Sequence, residues 1–339
     1  MPTRPDDPSA RLMADLALDL PAASILVAGD GDGTVGRAFA MAGARVSAWN
    51  RRAGGAVPPA VWPARAIDGQ PFAAAALRLP PAKAELDMAL HAVASAVAPG
   101  GAIYVFGPND EGIRSAPSRI GPLLGPAETI AVGRHSRVLK AVRPETVPGL
   151  RADPADWRTV VDLDVGGGPR PFATYPGLFA KGELDPGTRL LLGVLPHLKA
   201  GERALDYGCG TGVIAAAIRQ RQPGVVLDLF DADALALAAA KENVPDAGLA
   251  LGTSPAEAGA GYRLIASNPP IHRGKAEDLG TVERLVALGP GRLTKGGELL
   301  LVVQKRIAVD RIATAAKAKG TPEIVAEDAL YRVWRLRKG

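Results

Sequence analysis

The sequence predicts an α/β protein of two tandem domains, each a mostly parallel sheet closed by an antiparallel hairpin, and three observations carry that expectation. A strand, a glycine-rich turn, a helix and a second strand follow one another from Ser24 and again from Arg203. Each half ends in two short apolar strands with only a few residues between them, too few for the crossover that parallel neighbours need. The landmarks of one half recur in the other in the same order, as two copies of one unit would require.

In the first half, Ser24–Ala28 reads as a strand, 29–36 as a glycine-rich turn running into a helix that reaches Ala42, and 44–49 as a second strand. Residues 85–97 have helical spacing, Pro99-Gly100-Gly101 reads as a turn, and 102–106 as a strand. Strands near 129–132 and 137–142 close the unit as a hairpin. In the second half, 203–206, the turn at 207–212, a helix, 225–230, Lys295-Gly296-Gly297, 299–303, and 323–326 with 332–336 stand in the matching places. Leu79-Pro80-Pro81 occupies the place that Asn268-Pro269-Pro270 occupies in the second copy. The domains are therefore expected at 1–145 and 173–339. Between them, 146–172 serves as linker and hairpin, turned by Gly166-Gly167-Gly168.

The 339 residues are 47% hydrophobic, enough to bury two cores. No leader-like start and no apolar run long enough for a bilayer is present, so the chain is expected to be soluble and cytoplasmic. Cys209 is the single cysteine and the four histidines are scattered, which excludes a disulfide framework and gives no metal-ligand spacing; no metal is expected. A net charge of +5 suits a polyanionic partner, though solvated enzyme surfaces are often as basic.

Asp206 precedes Gly208-Cys209-Gly210-Thr211-Gly212, whose glycines let the backbone approach a nucleoside-bearing ligand at a helix amino end. Asp231 ends the next strand, where a carboxylate binds ribose hydroxyls. This arrangement also serves a dinucleotide, but the closing hairpin and Asn-Pro-Pro argue against a dehydrogenase. In the first copy the equivalent strand ends in Trp49-Asn50 with no acid, so cofactor is expected in the second copy only.

The strand 264–267 runs directly into Asn268-Pro269-Pro270. Proline cannot donate to a ladder and restricts its predecessor, so the strand stops there. Asn268 then sits at a carboxyl edge, where open α/β sheets bind ligands. Its side-chain oxygen and the Pro269 carbonyl offer two acceptors converging on one –NH2 group. A ring-conjugated amine needs that grip, because its lone pair is delocalised until the N–H bonds leave the ring plane. A sulfonium methyl is already activated, so catalysis there is mostly positioning. The competing use of Asn-Pro is a simple turn.

These residues together resemble the small-subunit ribosomal RNA guanine-N2 methyltransferases of the C type and their large-subunit cousin of the G type. The likeness runs through Tyr175-Pro176-Gly177-Leu178-Phe179, Leu184-Asp185-Pro186-Gly187-Thr188, Leu205 to Gly212, Ser267 to His272, and, in the first half, Gly107 to Ser115. It implies two class I methyltransferase-like (Rossmann-like) domains, the first degenerate and serving RNA binding or structure. It implies methylation of the exocyclic N2 of a guanine in ribosomal RNA, free or in an assembling subunit, by S-adenosylmethionine, with the protein a monomer. The implied catalytic set is Asn268, Pro269 and Pro270, with Ile271 and His272 at the substrate. The implied cofactor set is Phe179, Asp185, Asp206, Gly208, Cys209, Gly210, Gly212, Asp231, Ala232, Ser254 and Asn268. The sequence departs from the family at Ile271, where members carry an aromatic to stack on the base, and at Arg263, where an acid is common.

Bland readings stand beside these. Cys209 lies inside the cofactor loop and reads as a small filler rather than a nucleophile. His272 can shuttle a proton or simply position the loop. Arg134, His135, Arg137, Lys140 and Arg143, with Arg332, Arg335, Arg337 and Lys338, can contact phosphate or form solvated faces. Phe179, Lys181 and Asp185 can close over the cofactor or pack. The rival functions are a protein glutamine methyltransferase, which uses the same Asn-Pro-Pro device, and an RNA-binding assembly factor that has lost catalysis.

Overall fold

The computed structural model describes residues 7–20, 22–178, 184–270, 272–273, 276–277 and 279–339. The chain divides into two compact units, Met1–Arg158 and Thr159–Gly339, a break inside the 146–172 segment.

The first unit comprises α1 (Pro8–Asp15), β1 (Ser24–Ala28), α2 (Thr34–Met41), β2 (Arg45–Trp49), β3 (Phe72–Arg78), α3 (Lys83–Ala96), β4 (Val97–Pro108), α4 (Pro117–Leu124), β5 (Glu128–Gly133) and β6 (Ser136–Val142). Its sheet runs β2-β1-β3-β4-β6-β5, parallel as far as β4 and antiparallel through the closing hairpin.

The second unit opens on a hairpin, β7 (Thr159–Asp164) and β8 (Pro169–Thr174). There follow α5 (Pro186–Gly193), β9 (Arg203–Tyr207), α6 (Val213–Arg221), β10 (Val226–Asp231), α7 (Ala234–Asn243), β11 (Gly248–Leu251) and β12 (Tyr262–Ser267). The short strands β13 (His272–Arg273) and β14 (Ala276–Glu277), then α8 (Gly280–Leu288), β15 (Leu293–Gln304), α9 (Val309–Ala315), β16 (Pro322–Glu327) and β17 (Tyr331–Arg337) complete it. The main sheet runs β11-β10-β9-β12-β15-β17-β16.

Alternation along buried strands builds a core on each face, because successive side chains point to opposite sides. Leu264, Ala266, Leu300 and Val302 join one cluster, while Ile265, Leu299, Leu301 and Val303 join the other. Strands apolar at every position are what a sheet covered on both faces demands.

The structure departs from the sequence expectation in three places. The hairpin of β7 and β8 is part of the second unit rather than a lead into it: Phe172 is fully buried in that core with Leu163 and Val165. The two Gly-Gly pairs are not turns but irregularities inside the long strands β4 and β15, where the register slips between Phe72 and Ala74 and between Tyr262 and Leu264. A Cβ on Gly101 would stand 2.7 Å from the Ala73 carbonyl oxygen, and one on Gly297 would stand 2.8 Å from that of Tyr262. Close approach of the neighbouring strand, not chain reversal, selects glycine there. Finally, the copies are unequal: between β2 and β3 no helix and strand stand where α7 and β11 stand in the second unit.

Candidate active site

In the second unit the chain steps outward from β9 to β10 and β11, then returns to place β12 on the other side of β9. That reversal opens a crevice at the carboxyl ends of β9 and β12, the usual ligand position in open parallel sheets. Ala266 stands opposite Asp206 across the two strands. The glycine loop after β9 and the Asn268-Pro269-Pro270 segment after β12 therefore emerge side by side.

The glycine loop is held open by its own backbone. Gly208, Gly210 and Gly212 take φ of 70°, 54° and 80°, values L side chains rarely adopt. The amides of Gly208 and Cys209 both donate to the Phe230 carbonyl at 2.7 and 3.0 Å, pinning the loop to the end of β10. A Cβ on Gly212 would also stand 3.3 Å from that of Ala240, so the loop lies directly on α7.

Two carboxylates flank this loop. Asp231 Oδ2 accepts from the Gly210 amide and Oδ1 from the Asp233 amide, each at 2.9 Å. A carboxylate has about four acceptor positions, so the pair retains capacity for a diol. Burial, then the Asp233 charge, push the Asp231 pKa up to about 6, with the Ala232 amide among the donors that oppose the rise. Asp206 is 1% exposed; its Oδ2 accepts from the Ala215 amide at 3.0 Å, and its Oδ1 has no partner among the described residues. Burial pushes its pKa up to about 7. An orphaned buried acceptor, an acid with spare acceptor positions at a strand end and a glycine cradle fit a cationic adenosyl ligand.

Asn268 is anchored through its nitrogen. Nδ2 donates at 2.8 Å to Asp185 Oδ2 and at 2.8 Å to Thr188 Oγ1. Asp185 caps α5, taking the Thr188 amide on the same Oδ2 at 2.9 Å. Both amide hydrogens are thus engaged, and the polar atom left to Asn268 for other contacts is its acceptor oxygen. Ser267, fully buried, donates from Oγ to the Tyr207 carbonyl at 2.7 Å and locks β12 to β9 one residue earlier.

The remaining expected residues divide clearly. Asp185, expected over the cofactor, holds the Asn268 amide. Cys209 is buried, and burial followed by the charges of Asp231 and Asp206 pushes its thiol well up, which suits a filler and not a nucleophile. Ala232 and Ser254 lie on loops after β10 and β11; Ser254 Oγ accepts the Ala256 amide at 3.3 Å in a local turn. Pro269 is buried and Pro270 exposed. Phe179, Lys181 and Ile271 lie outside the described residues, and for His272 only its place at the start of β13 is described.

Sequence reasoning missed two supports. Asn243, at the end of α7, exchanges both amide groups with Ala173, at 2.7 and 3.0 Å, and donates to the Thr211 carbonyl at 2.9 Å, tying β8 to the glycine loop. Glu257 gathers the Thr253 and Ser254 amides at 2.8 and 2.7 Å and sets the loop after β11.

Among the described residues, the first unit shows no comparable arrangement. Its glycine turn is covered by its own chain: the Ala56 amide donates to the Gly31 carbonyl at 2.8 Å, and Gly55 packs so closely that a Cβ would stand 3.1 Å from that oxygen. Most cations of the hairpins already have partners. Arg134 meets Asp15 at 3.1 Å, Arg137 meets the Asn109 oxygen at 3.0 Å, and Arg143 donates to the Ala94 carbonyl at 2.8 Å. Arg332 pairs with Glu327 at 2.9 Å, Arg335 with Glu323 at 2.5 Å, and Arg337 with Glu298 at 3.5 Å; Lys338 donates to the Leu293 carbonyl at 2.6 Å. Arg263 is likewise engaged, with Glu202 at 3.7 Å.

Residues 170–335 match the methyltransferase small domain family, and residues 18–157 match its N-terminal companion domain. A ribosomal RNA small subunit methyltransferase C of Pseudomonas fluorescens is 33% identical over 80% of this chain and 80% of its own length. One of Shewanella amazonensis is 32% identical over 71% of this chain and 70% of its own. Among solved structures, a T. thermophilus 16S rRNA N2 methyltransferase in complex with AdoMet and guanosine superposes with a TM-score of 0.84. It shares 20% identity, and the match spans 99% of this chain and 93% of that one.

Proposed function

The chain belongs to the family of the ribosomal RNA small subunit methyltransferases C, and from that premise we propose that it methylates the exocyclic N2 amine of a guanine in small-subunit ribosomal RNA, using S-adenosylmethionine. The observation that carries this reading is the Asn268 amide, turned with its nitrogen inward and standing beside the glycine loop at the switch point of the sheet.

Guanine N2 in a duplex lies among stacked neighbours, so the residue must arrive unpaired or flipped. Asn268 Oδ1 and the Pro269 carbonyl then accept its two N–H bonds, drawing them out of the ring plane and returning the lone pair to nitrogen. S-adenosylmethionine would supply an activated sulfonium methyl there; the amine nitrogen held by Asn268 and Pro269 would take it, and the proton it then loses would pass to water. Asp231 would hold the ribose diol, the backbone of Gly208 to Gly212 would face the amino-acid portion, and Asp206 would place negative charge behind the loop. Neither the reaction nor its partners require a side chain of strong basicity, in keeping with a site whose buried carboxylates support the loop.

In this reading the first unit is an RNA platform. A cleft of about 420 Å³ supports that role. It is bordered by Arg119, Arg151, His91 and Trp157, with the Arg151 guanidinium 4.7 Å above the Trp157 ring, and by Asp87, which pairs with Arg119 at 3.3 Å much as the hairpin arginines pair with their acids. The Arg151 amide donates to His91 Nδ1 at 2.9 Å, which leaves the ring proton on Nε2 as a donor. Guanidinium planes and clustered donors are the groups that hold unpaired nucleotides.

The test is methylation of unmodified small-subunit RNA and particles by the purified protein, followed by nucleoside mass analysis. N2-methylguanosine is expected; methyl groups on protein glutamine, or on another nucleoside, would refute the assignment.

A further inference from the structure

Resting on the methyl-transfer reading above, we propose that Asp185 and Thr188 are positioning residues that clamp the Asn268 amide, and that the Asp185 charge strengthens the Asn268 oxygen as an acceptor for the reacting amine.

The orientation follows from the chemistry of the two partners. A carboxylate accepts only, so the side of Asn268 that meets Asp185 Oδ2 at 2.8 Å has to be the –NH2 side. Thr188 Oγ1, also 2.8 Å from Nδ2, takes the second hydrogen. The Thr188 hydroxyl turns its own proton toward Asp185 Oδ2, 3.4 Å away. A flipped amide would set its carbonyl oxygen against the Asp185 carboxylate and lose that hydrogen bond, keeping only the Thr188 hydroxyl as a donor, so the flip is strongly disfavoured.

The clamp is itself rigidly held. Asp185 and Thr188 belong to the first turn of α5, whose Leu191 and Leu192 are buried in the core. Gly187, between them, lies against Tyr331 of β17, where an added Cβ would meet the ring at 3.1 Å. One helix start therefore fixes Asn268 by two hydrogen bonds and is fixed in turn by the sheet.

The charge contributes as well as the geometry. As the N–C bond forms, the amine nitrogen gains positive charge, and Asn268 Oδ1 meets that charge directly. Asp185 stands on the far side of the same conjugated amide, where its negative charge polarises the group toward oxygen. This gives Asp185 a part in turnover that a helix cap alone does not have.

Four variants separate the possibilities. Thr188→Val removes the hydroxyl but keeps the amide that Asp185 caps, and Thr188→Ser restores it. Asp185→Asn keeps an acceptor and a cap but removes the charge, whereas Asp185→Ser keeps only a short cap. We expect Thr188→Val and Asp185→Asn to lower kcat by about tenfold or more, with KM for RNA and cofactor Kd within about twofold, and Thr188→Ser to recover most of the loss. Asp185→Ser should lose at least as much as Asp185→Asn while keeping its Tm near the wild type.

The side-chain NH2 resonances of Asn268, assigned in asparagine-labelled protein by comparison with Asn268→Ala, read the clamp whatever the substrate. They should move in Thr188→Val and Asp185→Asn. Resonances that stay put, or a kcat that holds while they move, would overturn the proposal. A wild-type protein that makes no N2-methylguanosine while those resonances shift would instead fault the functional reading and leave the clamp as a structural finding.

Discussion

Asn268 and Asp185 lie 83 residues apart in the chain and meet through a 2.8 Å hydrogen bond from the amide nitrogen to the carboxylate. That bond joins the segment after β12 to the first turn of α5, so the helix start that orients the amide is tied directly to the segment that carries it.

Asn268→Ala is expected to remove methyl transfer by roughly a hundredfold or more, the scale of losing one preorganised polar contact in a transition state. Cofactor affinity should change little, because the amide faces the acceptor amine. Steady-state kinetics beside calorimetry would show whether the loss lies in kcat; wild-type turnover would reduce Asn-Pro-Pro to a turn.

Cofactor should bind at one equivalent per chain, since the first unit covers its own glycine turn with Gly55 and Ala56. Asp231→Ala should weaken binding by about 1.5 to 3 kcal/mol, the range for a hydrogen bond to a charged group. Calorimetry measures both quantities, and a stoichiometry of two would contradict the inequality of the copies.

Cofactor affinity should rise with pH. Burial holds Asp206 at about 7 and Asp231 at about 6, so both are largely protonated at pH 5 and neither then offers an anionic acceptor. Binding at pH 5 must first remove those protons, which should weaken it by about tenfold per unit of pKa above the working pH. Asp231→Asn should flatten the part of the profile centred near 6. The sign for stability of the free protein is opposite. Each raised carboxyl contributes stability that is present below its unfolded value near 4 and lost as pH rises through 6 to 7. Melting curves with and without cofactor from pH 4 to 8 would display both trends.

The platform role of the first unit predicts that Arg119→Ala with Arg151→Ala weakens RNA binding and lowers the slope of log Kd against log salt by about 1 to 2, as lost phosphate contacts do. Turnover at saturating RNA should persist. Fluorescence anisotropy over a salt series measures the slope, and an unchanged slope would remove the cleft from the RNA path.

Much of the site was legible because its signals are local. Gly208 to Gly212 between a strand and a helix, Asp231 at a strand end and Asn268 before two prolines each announce their geometry within a few residues. The clamp was not legible, because Asp185 reads from the sequence as a residue over the cofactor or in simple packing, and nothing near it points to residue 268. Asn243 was missed for a similar reason: a polar residue at a helix end looks solvated until Ala173 and Thr211 fold against it. Gly-Gly at 100–101 and 296–297 looked like turns: Gly100 and Gly296 do take positive φ, but the carbonyls that crowd Gly101 and Gly297 belong to neighbouring strands. The cationic hairpins looked available to phosphate, yet Arg335 stands in register with Glu323, a pairing that only the sheet reveals.

The most direct test of the central claim is nucleoside mass analysis of small-subunit ribosomal RNA from a strain lacking this protein, complemented with the wild type or with Asn268→Ala. The account predicts that one N2-methylguanosine disappears in the deletion, returns with the wild type and stays absent with the variant. Full N2-methylguanosine in the deletion strain, or its return with Asn268→Ala, would contradict it.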